Sequence, residues 1–143
     1  MTDRPAATVR LVDESEASGR VAAVFADIKA TKHIDFVPNF WRTLATNPDH
    51  LELVWGRLKA IMHPEATGRQ GRLDPLTREI IALAVSATNG CRYCINSHTA
   101  AVRKLGLDVE ALGEVMAVVG LFNSTNAIAD GYQIEPDVLP PQD

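Results

Sequence analysis

Apolar residues along this chain recur every three or four positions rather than every two, the signature of amphipathic helices. In residues 14–32, Val21, Val24, Phe25 and Ile28 repeat at that spacing with charges between them, and Ser15 or Ser18 stands where an N-cap is wanted. Pro38 biases its predecessor away from helix, so HIDFVPNF reads as a connection, followed by a short helix over 39–46. Asn47-Pro48 restarts the chain, since a proline is welcome in a first turn. Leu51, Val54, Trp55, Leu58, Ile61 and Met62 then form an apolar stripe. Residues 63–74 are polar and hold two glycines, as a loop does. Asp74 and Pro75 cap and open a helix that stops at Asn89-Gly90. Another begins near Cys91 and runs to Leu105, closed by Gly106. A last one starts at Asp108, with a break expected near Gly120. Residues 1–13 and the proline-rich end, EPDVLPPQD, read as irregular or extended. No strand pattern and no strong internal repeat emerges, so the expected fold class is all-α, with short loops between helices.

Length and charge narrow this further. A chain of 143 residues predicts a single domain over 1–143, able to bury a core without staples. A hydrophobic fraction of 46% with 22% charged residues excludes a disordered chain. The apolar runs are interrupted before the roughly 18 residues a bilayer demands, so no membrane partner is expected. The net charge is −4 and no basic stripe stands out, so neither is nucleic acid. The opening MTDRPAATVR shows no apolar h-region of a signal peptide. The expected compartment is therefore the cytoplasm, where a CxxC is more often catalytic or metal-binding than structural.

The chemistry concentrates in NGCRYCINSH, residues 89–98, which holds both cysteines of the chain. On a helix turning about 100° per residue, Cys91, Cys94, Ile95, His98, Val102 and Leu105 share one ridge. Arg92, Tyr93, Asn96, Ser97, Thr99, Arg103 and Lys104 point away from it. Cys94 and His98 are an i,i+4 pair and so are neighbours. On the preceding helix Leu76, Ile80, Leu83 and Ala87 define the apolar face, with Glu79 at its border, where a carboxylate needs a partner. If the two helices pack antiparallel across Asn89-Gly90, Glu79 lies roughly 15 Å from the joint and His98 roughly 12 Å, near enough for direct contact or one bridging water.

These residues support nucleophilic thiol chemistry. Cys91 lies at a helix N-terminus, which favours a thiolate. His98 is within reach of Cys94 as a base, and Glu79 is placed to orient His98. A Cys94 thiolate attacking a peroxide would become a sulfenic acid, and Cys91 would condense with it to a disulfide. Three other uses of the same residues remain open: a structural disulfide, a redox-sensing module, and a metal site. Cys91, Cys94 and His98 supply three ligands and Glu79 a fourth, the number a closed zinc site needs. Ile95 stands where a c-type haem attachment motif needs histidine.

Glu79, eleven residues, Cys91-x-x-Cys94, three residues, His98 resembles the pattern of alkylhydroperoxidase D-like proteins of the carboxymuconolactone decarboxylase superfamily. The match is close over about residues 74–106. FVPNFWRTLATNPDHLELVW is also similar to the small peroxidase-related members of that group. The resemblance implies a helical subunit that assembles as a trimer or hexamer. It implies a peroxidatic Cys94, a resolving and proton-donating Cys91, and a proton relay through Glu79 and His98. It implies a hydroperoxide substrate and no bound cofactor. The donor is left open among a lipoyl protein, a thioredoxin-like protein and a small thiol. Tyr93 stands where alkylhydroperoxidase D carries a histidine. The thiol pair argues against a lactone decarboxylase, because that branch does not depend on it.

Other conspicuous residues have plainer expectations. His33, His50 and His63 read as solvated surface. Phe36, Phe40, Trp41 and Trp55 read as core or subunit interface before they read as a substrate pocket. The helix from Val109, apolar on several sides, reads as buried in an oligomer. GRQG, with Arg69 and Arg72, reads as a mobile loop without a phosphate-binding pattern.

Overall fold

The computed structural model describes residues 7–143. Among the described residues every regular element is helical, as the three-and-four spacing predicts. The expected lead-in over residues 1–13 lies partly outside the described residues; residues 7–13 carry no helix. Contacts group the chain into two compact units, Met1–Arg72 and Leu73–Asp143.

The first unit contains α1 (Gly19–Lys32), α2 (Asn39–Leu44) and α3 (Pro48–Met62). The expected first helix is split. Residues Glu14–Glu16 form a separate 3₁₀ turn capped by Asp13, while Ser18 sits at the α1 N-cap without a side-chain bond. Asn47 caps α3 by accepting from the His50 N–H at 3.2 Å, with Pro48 in the first turn. The core is one cluster of Phe25, Ile28, Val37, Trp41, Ala45, Leu51 and Trp55. Trp41 and Trp55 meet edge to face, their ring centroids 5.1 Å apart. Both are core, whereas Phe36 and Phe40 are exposed. His33 and His50 are exposed as expected, and His63 is half-buried. The loop after α3 is more ordered than its composition predicts. Residues Pro64–Thr67 form a 3₁₀ turn, and the Arg69 guanidinium donates to the Ala60 carbonyl near the end of α3.

Polar ties join these helices. Asp27 on α1 accepts from Trp55 Nε1 at 2.7 Å and from Lys59 Nζ at 2.8 Å, both on α3. Glu14 accepts from the Val37 N–H at 3.0 Å and from Lys29 Nζ at 2.9 Å, fastening the 3₁₀ turn to α1 and to the connection before α2.

The second unit contains α4 (Pro75–Asn89), α5 (Arg92–Lys104) and α6 (Val109–Gly131). Asp74 caps α4 by accepting from the Thr77 N–H at 2.9 Å. Gly90 terminates it with φ 70°, in the left-handed region that costs glycine nothing. Asp108 caps α6 by accepting from the Ala111 N–H at 2.8 Å. α4 packs against both α5 and α6, around Leu83 and Val102, which are fully buried.

Two expectations are corrected here. Leu105, placed on the inner ridge by the helical wheel, is 44% exposed, because α5 ends at Lys104 and Leu105 leaves the helical track. The break near Gly120 does not occur: α6 runs unbroken for 23 residues. One glycine costs a helix interior only about 1 kcal/mol, too little by itself to end it. No residue of α6 is buried within the chain. Taken whole, α6 is long and apolar enough to cross a membrane by length and composition alone, which its interrupted runs of apolar residues conceal.

Burial would raise the Asp27 carboxyl, but the hydrogen bonds from Lys59 and Trp55 outweigh it and hold the group below its ordinary value of 3.8. A carboxyl depressed by folding stabilises the fold above its unfolded pKa, and that stability disappears as pH falls through the folded value. Asp27→Asn is therefore expected to lower the urea midpoint at about pH 6, with the deficit shrinking steadily as pH is taken below about 4. An equal deficit at every pH would show that the Asp27 charge is not what Lys59 and Trp55 hold.

Candidate active site

The site is built by the α4–α5 hairpin. The Gly90 N–H donates to the Ala87 carbonyl at 3.3 Å and the Cys91 N–H to the Ser86 carbonyl at 3.0 Å, closing α4 and fixing the first residue of the next turn. Ser86 is buried, and its hydroxyl donates to the Ala82 carbonyl at 2.7 Å, within α4. Cys91 then serves as the N-cap of α5: its sulfur accepts the Cys94 N–H at 3.3 Å. The Cys91 carbonyl accepts the Ile95 N–H at 2.8 Å, the first helical bond of α5.

Cys91 and Cys94 are joined as a disulfide, with Cα atoms 5.3 Å apart. The two sulfurs therefore sit within bonding reach without rearrangement of the backbone. One turn further on, His98 Nδ1 lies 2.6 Å from Glu79 Oε2. The acid at the border of the α4 stripe meets the imidazole of the α5 ridge directly, with no bridging water required. The Glu79 side chain is 13% exposed and that of His98 26%, so the pair is sheltered but not sealed.

A carboxylate only accepts hydrogen bonds, so Nδ1 is the nitrogen that carries the proton. Neutral His98 then presents the lone pair of Nε2, the nitrogen a base uses. Two arginines of this unit hold backbone carbonyls. Arg78 is buried and donates to the Leu73 carbonyl at 2.5 Å, and Arg103 donates to the Leu107 carbonyl at 2.6 Å. Tyr93 is 43% exposed, on the outward side that the wheel assigns to it. Among the described residues no three His, Cys, Asp or Glu side chains cluster in a way that could hold a metal ion.

Sequence reasoning missed the burial of Arg78 and Ser86. Arg78 falls outside the apolar stripe, and nothing in its spacing separates it from the exposed arginines. The sulfur cap had a weak signal, since the residue before a helix is normally Ser, Thr, Asp or Asn, and Cys91 occupies that place.

The model of the carboxymuconolactone decarboxylase family matches residues 48–134, more than half of the chain. The chain belongs to the carboxymuconolactone decarboxylase family. Within that family it is alkylhydroperoxidase D-like. The crystal structure of the alkylhydroperoxidase AhpD core from Rhodospirillum rubrum has the same fold, with a TM-score of 0.86 and 47% identity over 93% of this chain and 96% of that one. The alkyl hydroperoxide reductase AhpD of Streptomyces griseus is 30% identical over 125 residues, covering 85% of this chain and 67% of the relative. That of Solibacter usitatus is 32% identical over 99 residues, 69% of this chain and 51% of the relative. An (R)-2-haloacid dehalogenase of Pseudomonas putida is 31% identical over 112 residues, 78% of this chain and 35% of the relative. The chain spans about half the length of some of these curated relatives.

The tautomer is directly measurable. In wild type, at a pH where the ring is neutral, nitrogen-15 shifts are expected to report His98 protonated on Nδ1. Glu79→Ala removes the acceptor and is expected to move the population toward Nε2–H. An unchanged pattern would mean that the hydrogen bond does not set the state of the ring.

Proposed function

We propose that this protein is a thiol-dependent peroxidase that reduces hydroperoxides through a cycling Cys91–Cys94 disulfide. The observation that carries the proposal is the Glu79–His98 hydrogen bond of 2.6 Å, one helical turn beyond a bonded cysteine pair. Membership of a family with AhpD-named relatives supports it.

The chemistry follows from the placement. In the reduced protein, His98 Nε2 takes the proton of the Cys94 thiol, while Glu79 stabilises the resulting imidazolium through Nδ1. The Cys94 thiolate attacks the terminal peroxide oxygen. An S–O bond forms, the O–O bond breaks, and the alkoxide leaves as the alcohol with a proton from Cys91. Cys94 is then a sulfenic acid. The Cys91 thiolate attacks the Cys94 sulfur, the S–O bond breaks, the hydroxide leaves as water with the proton held by His98, and the disulfide closes. An external dithiol returns two electrons and completes the cycle. Hydrogen peroxide, alkyl hydroperoxides and lipid hydroperoxides all fit a thiolate nucleophile. A lipoyl or thioredoxin-like donor fits the same disulfide, in a compartment reducing enough to regenerate it.

Hydroperoxide consumption with a dithiol donor tests the proposal. Cys94→Ser is expected to abolish turnover. Cys91→Ser is expected to leave a Cys94 sulfenic acid that dimedone traps but that does not cycle. His98→Asn is expected to lower turnover by about 10²- to 10⁴-fold, the usual worth of a positioned base. Full turnover in Cys94→Ser would end the proposal. A single stoichiometric oxidation without turnover would favour a redox-sensing module instead.

The proposal includes a homo-oligomer, a trimer or hexamer, in which copies of α6 are covered. A helix apolar on several sides is normally buried, and here Val118, Leu121 and Phe122 are each more than half exposed. The double substitution Leu121→Lys with Phe122→Lys leaves the chain's own core untouched and is expected to lower the sedimentation mass toward that of one chain. An unchanged mass would place the association elsewhere.

A further inference from the structure

Resting on the disulfide cycle proposed above, we infer that the external donor attacks Cys94, so that the reductive mixed disulfide forms on Cys94 Sγ and Cys91 Sγ departs as the thiolate. Both cysteines are half-buried. Their hydrogen bonds distinguish them. The Cys91 sulfur already accepts the Cys94 N–H at 3.3 Å, at the head of a helix of 13 residues. Negative charge developing there meets an aligned backbone donor and the positive end of the helix.

In thiol–disulfide exchange the sulfur better able to bear charge leaves faster, and in the oxidised protein a neutral His98, its Nδ1–H held by Glu79, has only a lone pair and no N–H to offer a charge on Cys94. The cap needs no rearrangement to receive the charge. The Cys91 N–H is held by the Ser86 carbonyl at 3.0 Å and the Cys91 carbonyl by the Ile95 N–H at 2.8 Å, so the residue stays in position as its S–S bond lengthens. Cys94 lies in the first turn of α5, on the ridge that carries His98 four residues on.

The step balances as an exchange. A donor thiolate forms a bond to Cys94 Sγ while the Cys91–Cys94 bond breaks, and the bonding pair passes to Cys91 Sγ. The second thiolate of the donor then attacks the donor sulfur of the mixed disulfide. It expels the Cys94 thiolate, which takes a proton from water. The donor leaves as its own disulfide, having delivered two electrons.

The sequence supplies a direct readout, because Arg92 separates the two cysteines and trypsin therefore places them on different peptides, residues 79–92 and 93–103. Oxidised wild-type protein is mixed with excess glutathione, a monothiol, and quenched within milliseconds by acid and then by N-ethylmaleimide. The expected result is glutathione on the peptide with Cys94 and maleimide on the peptide with Cys91, at least tenfold over the reverse labelling. Glutathione on Cys91, or equal labelling of the two, would overturn the inference. No hydroperoxide enters this experiment, so its outcome is independent of whether the protein turns peroxide over.

Discussion

One residue in the left-handed region makes the site possible. Gly90 reverses the chain within a single step, so α4 and α5 run back along each other. An acid eleven residues before the joint and an imidazole eight after it arrive at nearly the same height. The 2.6 Å contact between them follows from that reversal. A side chain with a Cβ at position 90 would meet no neighbour within 4 Å, so the demand for glycine there is purely conformational. The cost of the left-handed region to any other residue, about 1–2 kcal/mol, falls on the joint that sets the register of the acid and the imidazole.

The two units divide their stabilisation unequally. Among the described residues, seven of the nine buried aliphatic and aromatic side chains other than proline belong to Met1–Arg72, where they form one cluster that includes both tryptophans. Among the described residues, Leu83 and Val102 are the only apolar side chains buried in Leu73–Asp143, the unit that carries the cysteines. Its longest helix, α6, has no buried residue at all. Helices draw most of their stability from packing an apolar face, so the chemistry sits on the part of the chain with the smaller core of its own. The hairpin offsets this with local devices: an Asp74 cap, a sulfur cap, a glycine stop and an acid–imidazole bond.

How much of this could be read from sequence depends on whether a feature is local. Helix starts marked by Asp74, Asp108 and Asn47 are legible because capping needs only the next three residues. The ridge of Cys91, Cys94 and His98 is legible because 3.6-residue periodicity fixes it. The Glu79–His98 pairing is legible because a two-residue joint leaves little freedom in register. The Asp27 bridge to Trp55 and Lys59 is not, since it depends on how α1 and α3 cross, and their residues are about thirty positions apart. Arg78 falls off the apolar stripe and Glu79 at its border, yet Arg78 is the more buried of the two, donating to the Leu73 carbonyl, while half-buried Glu79 meets an imidazole. The continuity of α6 through Gly120 was hidden because a single glycine, without a cap or a proline beside it, weakens a helix but does not end it. Family membership reached further than any of these signals, because its signature condenses the hairpin geometry into three spacings between four residues.

Both tryptophans, Trp41 and Trp55, lie in Met1–Arg72, and both tyrosines, Tyr93 and Tyr132, lie in Leu73–Asp143. Nature has thereby labelled each half with its own chromophore. Indole emission follows the aromatic cluster, with the Trp55 ring nitrogen held by Asp27 as a local reporter. Phenol absorbance follows the half bearing the sulfurs, with Tyr93 between them. The melting of either half can therefore be watched in unmodified material, without introducing a dye beside the reactive thiols.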